Sequence, residues 1–150
     1  MVVLPPHADI ARNGLWGKNI FIGSALVDMY AKCGELAKAQ EVLEELPIRN
    51  VISWSSLIAG YAHQEEGQEA LNCFEWMENE GLSPDVITFT CILKACGSIG
   101  AIDEGKQIHS DIVSKELLEA NDVLGNALVD MYAKCGFLRK AQELHDHLVV

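Results

Sequence analysis

The sequence predicts an all-α protein, a right-handed α-solenoid built from helix-turn-helix repeats. The string ALVDMYAKCG occurs at residues 25–34 and again at residues 127–136, an offset of 102 residues. Apolar residues recur at helical spacing, whereas no stretch keeps the period of two that a half-buried strand requires. Because a lone helix pair cannot bury its apolar face, we expect stacked pairs to form one continuous core.

An offset of 102 residues is too long for one pair of helices, and divergent copies lie inside it. The tetrapeptide that begins at Ser24 aligns with those that begin at Ser55, Thr90 and Asn126. This alignment predicts an incomplete tail followed by three whole units and one incomplete unit. Their predicted ranges are 1–19, 20–50, 51–85, 86–121 and 122–150.

Each unit is expected to contain two helices. The first carries adjacent apolar pairs one turn apart, as in Leu57-Ile58 and Tyr61-Ala62, and the second carries one apolar stripe. That stripe is Leu36, Ala39, Leu43 and Leu46 in one unit, and Ile102, Gly105, His109 and Ile112 in another. A small residue recurs at one place and predicts close helix approach: Ala39, Ala70, Gly105 and Ala141. Glycines 34, 60, 81, 97, 100 and 136, with Pro84, are expected near helix ends.

The charge is strongly acidic, with 22 acidic and 11 basic residues and a net charge of −11. Nonetheless 49% of the residues are hydrophobic, which excludes a disordered acidic tail. No apolar run is long enough for a membrane span, so no membrane partner is expected. The acidity argues against a generic basic nucleic-acid binder. The predicted first helices are neutral, however, because Asp28, Asp122 and Asp130 balance Lys32, Lys94 and Lys134.

Neither a metal site nor an active site is predicted. The five cysteines form no CxxC pair, and Cys33 and Cys135 are equivalent positions of two copies, so we expect small buried thiols. His7, His109 and His145 share one repeat position on the second helix, which favours packing over metal ligation. Phosphate-binding glycine loops, a nucleophile elbow and a zinc-deaminase signature are absent, so no cofactor and no enzymatic activity are expected.

These units resemble the pentatricopeptide-repeat family, specifically the plant arrays that alternate long, short and standard units. The short-unit pattern begins at Ser24 as SALVDMYAKCG, and the standard-unit pattern begins at Val51 as VISWSSLIAGY. The long-unit pattern begins at Thr88 as TFTCILKAC. The resemblance covers about residues 7–148 and makes units 20–50 and 122–150 short, 51–85 standard, and 1–19 and 86–121 long. Tetratricopeptide repeats do not fit, because their regular 34-residue period is absent.

What the resemblance implies is single-stranded RNA binding in mitochondria or chloroplasts, one nucleotide per repeat, for RNA editing or processing. RNA-editing or RNA-processing proteins are implied as partners. In the family the fifth and last residues of a unit select the base. Ser24 with Asn50 thus implies adenine, and Ser55 with Asp85 implies guanine. The remaining base-recognition residues are Thr90 with Asn121, whose choice is less clear, and Asn126, whose partner lies beyond Val150.

The resemblance also implies contacts to base faces and to the RNA backbone. The family's second position clamps bases, and here it is occupied by Phe21, Ile52, Ile87 and Val123. Lys32 and Lys134 match the family's phosphate contacts, and His63 replaces lysine in the standard unit.

Each of these positions has a purely structural alternative. Ser, Asn and Asp near helix starts are common N-caps, which applies to Ser24, Ser55, Asn126 and Asp85. Phe21 and Ile52 could equally be packed between repeats. At the level of the whole chain, two other hypotheses stay open: a helical scaffold that binds proteins, and a non-functional remnant of a longer gene.

Overall fold

The computed structural model describes residues 20–119 and 121–149, and all regular structure within them is helical. The helices are α1 (Ile20–Lys32), α2 (Leu36–Glu45), α3 (Val51–His63), α4 (Gly67–Asn79), α5 (Val86–Ile99), α6 (Ile102–Ser114), α7 (Asp122–Lys134) and α8 (Leu138–Val149). The odd-numbered first helices begin at Ile20, Val51, Val86 and Asp122, where the sequence alignment starts each unit.

The helices pack in two layers that follow the chain. Each first helix packs against the next first helix, from α1 through α3 and α5 to α7. Each second helix packs against its own first helix, and α2, α4 and α6 also touch the first helix that follows. A second helix therefore bridges two units. This arrangement confirms the predicted all-α helical repeat fold.

One continuous core fills the space between the layers. The apolar pairs of the first helices are buried or partly buried, with Leu57 and Ile58 fully inaccessible to solvent. The stripe of α2 is buried throughout, from Leu36 to Leu46. Trp54 is also buried, and its indole N–H donates to Glu80 Oε2 at 3.2 Å, so the polar edge of this large side chain is satisfied. The core spans units, because removing one pair would expose the faces of its neighbours.

The glycines fall into two groups rather than one. Gly34, Gly81, Gly100 and Gly136 have positive φ angles between 69° and 87° and lie between helices, as the sequence predicts. Gly60 and Gly97 instead lie inside α3 and α5. A Cβ at Gly60 would stand 2.6 Å from Leu36 Cδ2, so close packing rather than helix termination explains this glycine.

The three equivalent histidines do not behave alike. His109 is half-buried, with its ring edge-on to Tyr132 and its Nδ1 2.8 Å from the phenol oxygen. Burial lowers the pKa of His109, and the charge of Lys140 lowers it further. His145 is exposed and contacts Asp146, so the predicted buried position is wrong for His145. His109 is covered because it packs on Tyr132 of α7, the first helix that follows α6, and within the described residues no first helix follows α8 to cover His145. His7 lies outside the described residues.

The cysteines also differ in burial. Cys73 and Cys96 are buried, and burial raises the pKa of each thiol to about 12. Cys91 and Cys135 are partly buried. Cys33 is exposed, which corrects the prediction of buried thiols, because it lies just after the last residue of α1, at the open groove between α1 and α3. Among the described residues, no group of three or more His, Cys, Asp or Glu side chains is arranged to hold a metal ion.

No helix in the described ranges is both long and apolar enough to cross a membrane.

Close approach of α4 and α5 can be tested at Gly67. A Cβ there would lie 2.7 Å from Ile99 Cγ2 and 3.0 Å from the Ala95 carbonyl oxygen, which is backbone and cannot move aside cheaply. We expect Gly67→Ala to lower the free energy of unfolding by about 1–3 kcal/mol in urea denaturation, despite alanine's higher helix propensity. The neighbouring exposed Gln68→Ala should change it by less than about 0.5 kcal/mol. Equal effects of the two substitutions would contradict this packing.

Candidate nucleic-acid interface

The predicted adenine pair, Ser24 and Asn50, comes together at the start of α3. Asn50 is the N-cap: its Oδ1 accepts from the Ser53 backbone N–H at 2.9 Å, and Ser53 Oγ accepts from the Asn50 N–H at 3.2 Å. Ser24, buried in α1, donates to the same Asn50 Oδ1 at 3.4 Å. The last residue of one unit is therefore also the capping box of the next unit's first helix.

The predicted guanine pair, Ser55 and Asp85, is joined through a third residue. Asp85 caps α5, and its Oδ1 accepts from the Thr88 backbone N–H at 2.9 Å and from Thr88 Oγ1 at 2.8 Å. Thr88 Oγ1 in turn lies 2.6 Å from Ser55 Oγ. The sequence reasoning missed Thr88. Its position three residues after a capping aspartate was the signal that could have identified it.

The third pair is not brought together in this way. Thr90 Oγ1 donates to the Val86 carbonyl at 2.7 Å, within its own helix. Asn121 caps α7 through the Val123 N–H at 3.0 Å, one residue earlier in the helix than the other two caps. Within the described residues no hydrogen bond joins Thr90 to Asn121. Asn126 is exposed on α7.

Capping fixes one terminal atom of each last-position side chain. In Asn50 and Asn121 the capped N–H requires an acceptor, so Oδ1 faces the helix and Nδ2 is the second atom. In Asp85 the second atom is Oδ2, which can only accept. Neither Asn50 Nδ2 nor Asp85 Oδ2 makes a hydrogen bond to any other described residue. The N-cap alternative is therefore correct for Asp85, and it is wrong for Ser24, Ser55 and Asn126, which lie within α1, α3 and α7. Asn50 and Asn121 are N-caps that the sequence analysis did not identify as such, and each of these caps leaves one side-chain atom available for a ligand.

Four large apolar side chains stand exposed on the same face. Their exposed fractions are 74% for Phe21, 60% for Ile52, 63% for Ile87 and 54% for Val123. The structure therefore does not bury Phe21 or Ile52 between repeats. Each precedes a predicted base-recognition residue by three positions, which places the two on one helix face about one turn apart.

The predicted phosphate contacts lie at the opposite ends of the first helices. Lys32 pairs with Asp28 at 2.7 Å, and Lys134 pairs with Asp130 at 2.9 Å. Lys32 and His63 line one groove of about 510 Å³ between α1 and α3. Exposed pairs of this kind are weak, so water and salt compete for both lysines.

Lys94 is a cation at this edge that the sequence analysis did not assign to phosphate. Its Nζ lies 3.5 Å from His63 Nδ1, and no carboxylate pairs with it among the described residues. The sequence signal for Lys94 was that it is the one lysine of α5, a helix without an aspartate such as Asp28 of α1 or Asp130 of α7 to pair with it.

Negative charge concentrates on the side of the second helices. Glu75 and Glu78 of α4 line a groove of about 240 Å³ with Glu104 and Asp111 of α6. Burial raises the pKa of Glu78, and the nearby charge of Asp111 raises it further, partly offset by Lys115. The face of the first helices is therefore much less acidic than the molecule as a whole.

Comparisons with known proteins agree with this architecture. The model described as PPR repeat family matches residues 49–98, and the model described as PPR repeat matches residues 24–51, 87–117 and 126–149. A pentatricopeptide repeat-containing protein of Arabidopsis thaliana is 40% identical over 144 residues, covering 96% of this chain and 20% of the relative. A putative mitochondrial pentatricopeptide repeat-containing protein of Arabidopsis thaliana is 42% identical over 133 residues, covering 89% of this chain and 21% of the relative. The chain thus spans about one fifth of the length of these relatives.

Solved structures show the same fold. The crystal structure of the pentatricopeptide repeat protein PPR10 from maize superposes with a TM-score of 0.66 at 20% identity, over 95% of this chain and 23% of that one. The structure of PPR10 in complex with an 18-nucleotide psaJ RNA element gives a TM-score of 0.68 at 23% identity, over 94% of this chain and 21% of that one. With its four first helices in register and family models matching along most of its length, the chain belongs to the PPR repeat family.

Proposed function

We propose that this chain is a sequence-specific single-stranded RNA-binding module that recognises one base per repeat, without catalysis. The proposal rests on one observation about Asn50 and Asp85, the last residues of their units. The cap hydrogen bond fixes one terminal atom of each side chain and leaves the other terminal atom without a partner among the described residues. The two units therefore present opposite chemistry at equivalent places.

That chemistry distinguishes two purines. The Watson–Crick edge of adenine offers an acceptor at N1 and a donor at N6, whereas guanine offers donors at N1 and N2. Asn50 Nδ2 donates and so matches adenine N1, while Asp85 Oδ2 accepts and so matches guanine. Ser24 and Ser55, whose hydroxyls lie beside these caps, supply the second contact at each step.

The exposed apolar side chains supply the contact to the base faces. Phe21 and Ile52 each lie three residues before the serine of the same unit. A flat base can therefore stack on the apolar side chain while its edge meets the hydroxyl. Stacking on an aromatic ring such as that of Phe21 contributes about 1–3 kcal/mol per base and tolerates any sequence. Base selectivity then depends on the capping residues Asn50 and Asp85, and much of the binding affinity depends on the apolar side chains Phe21 and Ile52.

Contacts to the RNA backbone are expected to be modest. Lys32 and Lys134 carry aspartate partners, so phosphate must compete with those carboxylates. Lys94, close to His63, is the more available cation of the described first helices. We therefore expect binding that is weak, strongly salt-dependent and best measured at low ionic strength.

The relatives support an organellar setting. Among the similar Arabidopsis thaliana proteins, two are described as mitochondrial and two as chloroplastic. PPR10 was crystallised with an RNA element. We propose that this module serves site recognition for RNA editing or processing in one of these organelles.

Protein recruitment is a second candidate function, supported by the acidic groove between α4 and α6. A basic segment of an RNA-editing or RNA-processing protein would complement Glu75, Glu78, Glu104 and Asp111. Partner binding that survives ribonuclease treatment and loss of the Ser55 and Asp85 side chains would favour this function over RNA recognition.

The RNA proposal predicts a dinucleotide preference. Oligouridine with adjacent adenine and guanine, in one of the two orders, should bind about tenfold tighter than the reverse order or than RNA in which uridines separate the purines. The measurement is fluorescence anisotropy of labelled RNA titrated with the 150-residue chain at low salt. RNAs of equal composition serve as the control. Equal affinity for all of them would contradict base recognition by these pairs.

The paired lysines give a second prediction. Asp28→Asn frees Lys32 while keeping an acceptor for Ser56 Oγ, which donates to Asp28 at 3.2 Å. Affinity for RNA should rise, and the slope of log affinity against log salt should become steeper by about 0.7, the value for one added single-strand phosphate contact. Glu143→Gln on α8 removes the same charge far from the RNA face and should leave the slope unchanged. Matching slopes in both variants would contradict a role for Lys32.

A further inference from the structure

We propose that Thr88 is a positioning residue for guanine selectivity, because its hydroxyl fixes which way the Ser55 proton points and which Asp85 oxygen is available. Thr88 belongs to neither the fifth nor the last position of a unit, and it is fully buried. This inference rests on the proposed RNA-binding function and names a further residue of that site.

The direction of the hydrogen bonds follows from simple donor counting. A carboxylate only accepts, so the single hydroxyl proton of Thr88 is used by Asp85 Oδ1 at 2.8 Å. At 2.6 Å from the same Thr88 oxygen, the Ser55 hydroxyl must therefore be the donor. With its proton committed to Thr88, Ser55 meets a base only as an acceptor.

The same contacts saturate one oxygen of Asp85. Its Oδ1 accepts from both the backbone N–H and the hydroxyl of Thr88, at 2.9 and 2.8 Å. Oδ2 is left as the oxygen for a ligand. Two acceptors, Ser55 Oγ and Asp85 Oδ2, thus stand together at this step. Guanine can donate hydrogen bonds to both acceptors, from its N1–H and its N2 amino group. Adenine instead has an acceptor at N1, which would face the carboxylate.

Equivalent residues of the other units lack this relay. At the first step the corresponding residue is Ser53, whose hydroxyl donates to the Asn50 carbonyl at 2.9 Å rather than linking to Ser24. Ser24 instead donates directly to Asn50. At the third step the residue is Leu124, which has no hydrogen-bonding group, and Thr90 there remains bonded to its own helix. The residue three positions after the cap therefore differs at each step.

The direct test compares Thr88→Val, which removes the hydroxyl at nearly constant shape, with Thr88→Ser, which keeps it. RNA binding is measured with guanine or adenine at the second step. In Thr88→Val the guanine-over-adenine ratio should fall about threefold to tenfold, because Ser55 regains a free proton that adenine can accept. Thr88→Ser should stay within about twofold of the original chain. The adenine preference at the Ser24 step should not change in either variant.

A second measurement needs no change at Thr88. Inosine lacks the N2 amino group that Ser55 accepts, so inosine in place of guanine should bind the original chain about threefold to tenfold more weakly. Ser55→Ala should bind guanine and inosine equally. This pair of results keeps the inference testable even where Thr88→Val does not fold, which circular dichroism and thermal unfolding report.

The outcomes separate this inference from the proposed function. An unchanged guanine-over-adenine ratio in folded Thr88→Val, or equal binding of guanine and inosine to the original chain, overturns the role of Thr88. Asp85→Asn would still shift the base preference in that case, and the proposed function would stand. Absence of any guanine preference in the original chain overturns both.

Discussion

The hydrogen bond that caps the first helices α3, α5 and α7 is the interaction on which the rest of the structure depends. The first turn of α3, α5 and α7 carries backbone N–H groups without partners inside the helix, and Asn50, Asp85 and Asn121 satisfy one each. Because the cap is also the last residue of the preceding unit, the bond connects neighbouring repeats. At Asn50 and Asp85 it also holds a polar side chain near the serine of the preceding first helix, Ser24 or Ser55. Stability and recognition therefore use the two terminal atoms of the same side chain.

The sequence predicted the repeat fold well because two features of a repeat constrain the fold. Each unit carries its own helical periodicity, and burial of that face requires the next unit. Sequence periodicity could not predict whether a side chain is exposed to solvent where its burial depends on another helix. His145 and Cys33 are two such side chains, and both are exposed. For the same reason, the sequence could not distinguish glycines that lie between helices, such as Gly34, from glycines inside a helix, such as Gly60. Only the three-dimensional packing shows that Leu36 occupies the space beside Gly60.

The candidate site was predicted in part. Family register identified Ser24 with Asn50 and Ser55 with Asp85, and the structure brings each pair together. It did not identify Thr88, because a code of two positions per unit has no place for a residue of the following helix. Nor did it identify the pairing of Lys32 with Asp28, although their separation of four residues on one helix was sufficient to suggest it. The acidic net charge is likewise a property of the second-helix side more than of the proposed RNA face.

The central claim is that the side-chain atom that does not cap the helix, Nδ2 of Asn50 or Oδ2 of Asp85, selects the base at each step. It is tested most directly by exchanging the two side chains, Asn50→Asp together with Asp85→Asn, which preserves both helix caps and the net charge of −11. Affinities for RNAs that carry adjacent adenine and guanine in either order are then compared with those of the original chain. The account predicts that the preferred order of the two bases reverses, with little change in total affinity. Retention of the original order by a folded double variant would contradict it.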